Sequence, residues 1–355
     1  MPLANTRRPQ GATTGVTMDF IGANILSVSQ FERADIERVF DVADAMTPYA
    51  QREKVTRVLE GAILGNMFME PSTRTRLSFG AAFNLLGGTV RETVGITASA
   101  MAKGESLYDT ARVLSGYSDV ICMRHPKEGS VAEFAEASRV PVVNGGDGAN
   151  EHPTQALLDL YTIRKELAAH GRTLDDFRIA MIGDLKHGRT VHSLCKLLCL
   201  FGKVQITLVS PPELAMPEMI VEMLRGAGHE VTVTDQLESS ISHVDIVYST
   251  RIQEERFASQ EEANRYRGRF RLNKAIFTRH AEPNTVIMHP LPRDSRAEAN
   301  ELDTDLNEHP SLAIFRQTDN GLLVRMALFA MLLGVENQVD KYSRDVNWYS
   351  RRNRV

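Results

Sequence analysis

The 355 residues, 43% apolar and 24% charged, have the composition of an ordinary globular protein but exceed the usual size of one core, so two domains are expected. A formal net charge of −4 with interspersed signs argues against nucleic acid as the main partner. No apolar run is long enough to span a bilayer, and three cysteines without framework spacing suit a reducing compartment, so a cytoplasmic protein is expected.

Residues 1–19 read as a flexible tail, because Arg7-Arg8 lead into no apolar segment. Ser29-Gln30-Phe31-Glu32 reads as a capping box opening a helix whose core face is Ile36, Val39, Phe40 and Ala43. The apolar run 62–69 (AILGNMFM) reads as a buried strand. It feeds residues 70–78, EPSTRTRLS, where helical spacing begins. Leu77, Ala81, Leu85 and Leu86 fall on one face, and Gly87-Gly88 stop the helix. Ser72 stands where a capping residue is expected. Free N–H groups at such a helix start, with Ser72, Thr73, Arg74 and Thr75 in one turn, suit a phosphate dianion.

A strand is expected at 89–94, then a small polar loop, 95–104, that carries Ser99 and Lys103. Helix 106–117 leads to strand 119–123, which ends in Arg124-His125-Pro126. Strand 140–143 runs into NGGDGANEHP, read as a glycine-rich loop that starts a helix over 153–167. Residues 170–176 are polar and mark a seam, after which the rhythm restarts. Strand 178–182, the loop GDLKHGRT, helix 191–201 and strands 204–209 and 230–234 follow. Two more strands, 245–248 and 286–288, lead into STRIQEER and HPLPR. A last helix begins near Asn320 with Leu322, Leu323, Met326, Ala327 and Ala330 on one face, apolar enough to be buried and to return to the first domain. The reading is α/β: two doubly wound domains, each a parallel sheet flanked by helices, one over 20–168 plus about 318–340 and the other over 172–316. Cys195 and Cys199 sit at i and i+4 without further ligands at metal-site spacing, so packing and no metal is expected; Cys122 reads as a buried strand residue.

In open α/β sheets, ligands gather beyond the carboxyl ends of the strands. Six polar clusters fall there: STRTR, RHP, NEHPTQ, KHGRT, TRIQ and HPLPR. They are rich in arginine and hold no dyad of catalytic carboxylates. A G-x-S-x-G elbow, a G-x-G-x-x-G fingerprint and a Walker loop are all absent. The expected chemistry is therefore positioning and charge stabilisation of anionic reactants, with neither a covalent intermediate nor a cofactor.

The ordered motifs FMEPSTRTRLSF, KGESLYDT, RHPKEG, HPTQALLDL, GDLKHGRTVHSL, TRIQEER and HPLPR span roughly residues 20–335. In them the sequence resembles the aspartate/ornithine carbamoyltransferase family, and within it the aspartate branch. The resemblance implies transfer of a carbamoyl group from carbamoyl phosphate to the amine of L-aspartate, in pyrimidine synthesis, by a homotrimer with shared active sites. It also implies roles. Ser72, Thr73, Arg74 and Thr75 with Arg124 would hold the phosphate; Thr75, Arg124 and His152 would polarise the carbamoyl oxygen. Gln155 and the backbone carbonyls of Pro290 and Leu291 would hold the carbamoyl amino group. Arg189 would take the α-carboxylate of aspartate, and Arg251, with Gln253 beside it, the β-carboxylate. Ser99 and Lys103 would enter a neighbouring subunit's site. Glu70, Arg189 and Arg256 match positions whose ion pairs fasten the two domains when closed.

His152, among these arginines, is expected to be neutral and to donate a hydrogen bond rather than a full proton. Arg76, His125 and His187 are read as structural. Two departures from the family are Gly80, where many relatives have Glu, and Ala102, where some have a second lysine. Residues 340–355 lie outside the resemblance, and regulatory or dihydroorotase-like subunits leave no readable mark. Ornithine as acceptor is the nearest rival; Arg189, Arg251 and Lys103 oppose it, since three cations suit a dicarboxylate. An inactive homologue serving as an assembly partner is opposed by the full set of contact residues.

Overall fold

The computed structural model describes residues 17–95, 104–254, 257, 259–294, 296 and 299–349. After a 3₁₀ turn at Val28–Gln30 come helices α1 (Arg33–Ala45) and α2 (Thr47–Ala50) and the short strand β1 (Lys54–Thr56). Then strands and helices alternate: β2 (Ile63–Phe68), α3 (Arg74–Leu85), β3 (Thr89–Val94), α4 (Leu107–Leu114), β4 (Val120–His125), α5 (Ser130–Ala137), β5 (Val142–Asp147) and α6 (Pro153–Ala168). These strands form a parallel sheet in the order β3-β2-β4-β5. The rhythm repeats through β6 (Arg178–Ile182), α7 (Arg189–Leu198), β7 (Gln205–Val209), α8 (Glu218–Gly226), β8 (Glu230–Thr234), α9 (Leu237–Ser240) and β9 (Ile246–Ser249). It closes with α10 (Gln260–Asn264), α11 (Lys274–His280) and β10 (Val286–Met288), giving a second parallel sheet, β10-β9-β6-β7-β8. Helix α12 (Ile314–Leu332) follows, and β11 (Ser343–Asp345) pairs antiparallel with β1.

Each sheet has one point where the chain reverses its direction of travel, between β2 and β4 in the first and between β6 and β9 in the second. Helices leave opposite faces there, so the loops splay and a crevice opens at the carboxyl ends of the strands. The loops that flank these crevices are 69–73 and 126–129 in one lobe, and 183–188 and 250–253 in the other.

Helix α12 joins the lobes. Its residues 320–332 are buried on every face, as an all-round apolar helix must be, and it packs against α1, α3 and α6. Its Phe329 meets Phe83 and Phe79 edge-on, with ring centroids 5.1 and 6.0 Å apart. That contact decides which face α3 buries: Phe79, Gly80, Ala82 and Phe83. Of the expected stripe only Leu86 is fully buried, and Leu77 is 55% exposed, because two aromatic rings bury more area than the leucines.

Several expected boundaries move for similar reasons. Ser29 does not cap a helix. Ser27 caps the 3₁₀ turn together with Gln30, and α1 starts later, with Glu32 and Asp35 forming the reciprocal box. Ser72 is not a cap either: α3 is preceded by Thr73, and no side chain closes its first turn. The stretch 144–147, expected as loop, continues β5, because Gly145 lets the backbone pass close to Cys122 and Phe68. A Cβ there would stand 3.2 Å from Cys122 Sγ and 3.3 Å from Phe68. Helix α12 begins at Ile314, six residues before the expected start. Helices α5 and α8 extend the expected pattern; each buries one short stripe, Val131, Phe134 and Ala135 or Ile220, Val221 and Leu224.

Candidate active site

A cavity of about 560 Å³ lies between the carboxyl ends of the two sheets. Every expected site position lines it except Ser99 and Lys103, which lie outside the described residues, as do Ala102 and Arg256. The first lobe contributes the start of α3 (Ser72, Thr73, Arg74, Thr75), Arg124 from the end of β4, and His152 and Gln155 from the start of α6. The second lobe contributes Arg189 from the start of α7, Arg251 and Gln253 after β9, and Pro290 and Leu291 after β10. Helix α12 adds Gln317, Thr318 and Arg325.

Three features hold these loops in place. Gly183 has φ +119°, and a Cβ on it would fall 2.2 Å from the carbonyl oxygen of Thr250. Only glycine lets the two second-lobe loops approach this closely, which brings the Arg189 and Arg251 loops together. Asp184 binds both loops: it accepts from the backbone N–H of His187 at 3.0 Å and of Gln253 at 3.2 Å. Gln253 Nε2 then donates to the carbonyl of His187 at 2.7 Å, and the His187 ring lies 3.1 Å from the Asp184 carboxylate, outside the cavity lining. In the HPLPR loop the backbone N–H of Leu291 donates to His289 Nδ1 at 2.9 Å, and the Leu291–Pro292 bond is cis. His289 is in turn held by Glu301 at 2.8 Å. Arg76 pairs with Glu92 at 3.4 Å, and His125 accepts the backbone N–H of Lys127; neither lines the cavity.

Charge in the cavity is strongly one-sided. Among the described residues, five arginines line it against one carboxylate, Glu70, which holds Arg124 Nε at 2.6 Å within its own lobe. Arg189 donates from Nη1 to the carbonyl of Gly148, so the second lobe reaches across to the first. Partial desolvation, followed by the charges of Arg251 and Arg124, lowers the Arg74 pKa. Arg74 makes no hydrogen bond or ion pair with the described residues.

His152 is buried, and neither ring nitrogen has a partner among the described residues. Its pKa is held well below the ordinary value. Burial, which the sequence reading does not include, is the first cause, and the neighbouring guanidinium groups of Arg189, Arg124 and Arg325 are the second. A neutral imidazole is left with one N–H to donate into the cavity.

The sequence reading does not include Arg325. It is fully buried, with its pKa lowered to about 10 mainly by desolvation. Its Nη1 donates to Ser78 Oγ at 2.8 Å, and its guanidinium lies 4.7 Å from the centre of the Phe79 ring. An arginine inside the apolar run LLVRMALFAML was the available signal, since charges are almost never buried without purpose.

Such a cavity suits a small reactant with several negative charges, presented to fixed cations and one neutral donor. The sequence matches the profile of aspartate/ornithine carbamoyltransferase, carbamoyl-P binding domain, over residues 23–165, and that of the Asp/Orn binding domain over residues 175–332. The chain belongs to the aspartate/ornithine carbamoyltransferase family. A Cellvibrio japonicus protein named aspartate carbamoyltransferase catalytic subunit is 78% identical over 333 residues, 94% of this chain and 98% of its own. Its Saccharophagus degradans counterpart is 77% identical over 335 residues, 94% and 99% of the two chains. Among solved structures, the aspartate transcarbamoylase of Trypanosoma cruzi in complex with carbamoyl phosphate is 39% identical, with TM-score 0.81 over 88% of this chain and 97% of that one. The catalytic subunit from M. jannaschii is 41% identical, with TM-score 0.80 over 89% and 99%. The cavity lies where the family's two matched regions face each other. Helix α12 belongs by sequence to the second region, yet it packs on helices of the first.

Proposed function

We propose that this chain transfers the carbamoyl group of carbamoyl phosphate to the amino group of L-aspartate, giving N-carbamoyl-L-aspartate and phosphate for pyrimidine biosynthesis. The observation that carries the reading is the meeting of Arg74, Arg124, Arg189 and Arg251 in one cavity with a buried, neutral His152, in a member of this family. In this reading residues 20–168 with about 318–340 form the carbamoyl phosphate domain and 172–316 the aspartate domain.

The uncapped start of α3 receives the phosphate, with Ser72, Thr73, Arg74, Thr75 and Arg124 supplying donors. Thr75, Arg124 and His152 donate to the carbonyl oxygen, and Gln155 with the carbonyls of Pro290 and Leu291 accepts from the carbamoyl amino group. Arg189 and Arg251, with Gln253, hold the two carboxylates of aspartate so that its amine faces the carbonyl carbon. Attack forms the C–N bond and places negative charge on the carbonyl oxygen. The C–O bond to phosphate then breaks, and the departing phosphate takes the proton lost by the amine. Fixed donors stabilise the growing charge more than they stabilise the ground state, and this difference is what accelerates the reaction. A neutral His152 donates without giving up its proton.

The working unit is a homotrimer in which Ser99 and Lys103 enter the neighbouring subunit's site. Support comes from the first lobe's surface, where β3 is an edge without a further strand among the described residues and Leu77, Val94, Tyr108 and Val113 are exposed. A cytoplasmic location fits three free cysteines and the lack, among the described residues, of a helix long and apolar enough to cross a membrane.

Purified protein should form carbamoyl aspartate from carbamoyl phosphate and L-aspartate, and should bind N-(phosphonacetyl)-L-aspartate tightly. A product from L-ornithine and none from L-aspartate would overturn the reading. Lys103→Ala and Arg74→Ala proteins, inactive alone, should regain activity when dissociated and remixed; absence of recovery would refute the shared sites.

A further inference from the structure

Behind the cavity wall the carboxylate of Asp159, fully buried on α6, collects three donors. Gln155 Nε2 reaches Oδ1 at 2.9 Å, Gln317 Nε2 reaches the same oxygen at 2.7 Å, and Tyr248 Oη donates to Oδ2 at 2.6 Å. These donors belong to α6, α12 and β9, so the first lobe, the returning helix and the second lobe meet at one group. The function proposed above leaves this carboxylate without a task.

We infer that Asp159 is a positioning residue for acyl-donor specificity: by accepting from Gln155 Nε2 it turns the amide oxygen of Gln155 toward the cavity, where a substrate N–H is required. The inference rests on the reading that Gln155 faces the carbamoyl amino group. A primary amide has one donor end and one acceptor end. Oδ1 of Asp159 can only accept, because a proton placed on it would face two N–H groups. Burial raises the Asp159 pKa to about 7, so the carboxyl also exists in a protonated form near neutrality. That proton sits on Oδ2, beside Tyr248, and leaves Oδ1 an acceptor. In both protonation states Nε2 of Gln155 therefore points back into the wall. Gln155 Oε1 accepts no hydrogen bond from the described residues, and Gln155 lines the cavity.

Acetyl phosphate is the discriminating probe. It matches carbamoyl phosphate in shape and charge but carries a methyl group in place of the amino group, so it leaves an acceptor aimed at it unpaired. Wild-type protein should bind carbamoyl phosphate roughly five- to tenfold more tightly than acetyl phosphate, measured as KM against the competitive inhibition constant. Equal binding would overturn the inference without recourse to any variant. Asp159→Leu keeps the bulk but removes the acceptor, so nothing holds Gln155 Nε2 in the wall and the amide is free to turn its N–H toward the ligand. The preference should fall to within about twofold, chiefly through weaker carbamoyl phosphate binding. Parallel weakening of both ligands would mean a merely structural role. Tyr248→Phe removes a different donor from the same carboxylate and should keep the preference; its loss there would also refute the assignment. Carbamoyl aspartate formation by the wild type separates the two failures: without it the proposed function falls, and with it only the role of Asp159 does.

Discussion

Replacing Arg74 by alanine separates the work of the cavity from the forces that hold it together. Arg74 is exposed at the start of α3 and makes no hydrogen bond or ion pair with the described residues. Partial desolvation and the nearby Arg251 and Arg124 both disfavour its charge, so the unliganded fold gains nothing from it. The unfolding free energy should change by less than about 0.5 kcal/mol, and Tm by less than about 2 °C. Catalysis should respond very differently. A charge-assisted bond to phosphate contributes roughly 1.5–3 kcal/mol, and a donor aimed at developing charge roughly 2.7–4 kcal/mol. About 3 kcal/mol corresponds to a roughly 150-fold loss in kcat/KM. The assay is initial-rate formation of carbamoyl aspartate over a range of carbamoyl phosphate concentrations, alongside thermal unfolding of the same samples. A rate within about threefold of wild type would refute the phosphate assignment. A fall in Tm of more than about 5 °C would show instead that Arg74 holds the fold.

Other substitutions probe different parts of the argument. Arg251→Ala should raise KM for aspartate by about 30-fold, near 2 kcal/mol, with KM for carbamoyl phosphate within about threefold; unchanged aspartate saturation would reject its role. Asp159 gives a pH signature. Its folded pKa, about 7, lies above the ordinary 3.8, so the native state keeps a proton that the unfolded chain has lost between those values. Its contribution to stability is present in full below about pH 4 and declines as pH rises to 7, by an amount on the order of 4 kcal/mol. In urea unfolding at pH 5 and pH 8, Asp159→Asn should therefore improve relative to wild type at the higher pH; a constant difference would contradict the burial argument. Gly80→Ala should stabilise by roughly 0.5–1 kcal/mol with activity kept, because a Cβ there meets only atoms at 3.8 Å and the helix gains propensity. Destabilisation in the same unfolding assay would mean that the α3 backbone is strained at that point.

The strands of the two parallel sheets were legible because each short apolar run is bounded by charge or glycine, whereas the polar pair Lys54–Thr56 and Ser343–Asp345 was not. Arg178–Ile182, Glu230–Thr234 and Val286–Met288 stand where the sequence puts them. The polar clusters were legible for the same reason, since in a parallel sheet a strand's carboxyl end and the loop after it are one feature. Caps were not. Ser27, Ser29 and Glu32 all offer plausible frames, and the side chain of Gln30, bound to the backbone N–H groups of Leu26 and Ser27, settles the choice. The stretch NGGD looks like a loop because glycine is a turn former, and only the packing of Phe68 and Cys122 explains why a strand needs it. Arg325 lies 247 residues from Ser78, its hydrogen-bond partner, and no local pattern reports a contact of that range. Burial is equally non-local, which is why the sequence shows like-charge repulsion at His152 and not the desolvation that outweighs it.

Helix α12 also sets an order of events in the cell. The first lobe is translated first, yet the surface of α1, α3 and α6 stays uncovered until residues 314–332 have left the ribosome. A growing chain normally completes its N-terminal domain early. Here the second lobe has every residue it needs before the first can close, so the later-made half is free to finish folding sooner. A polypeptide cut short before Ile314 would lack Gln317, Thr318 and Arg325 and would expose a broad apolar face, marking it for the quality-control machinery.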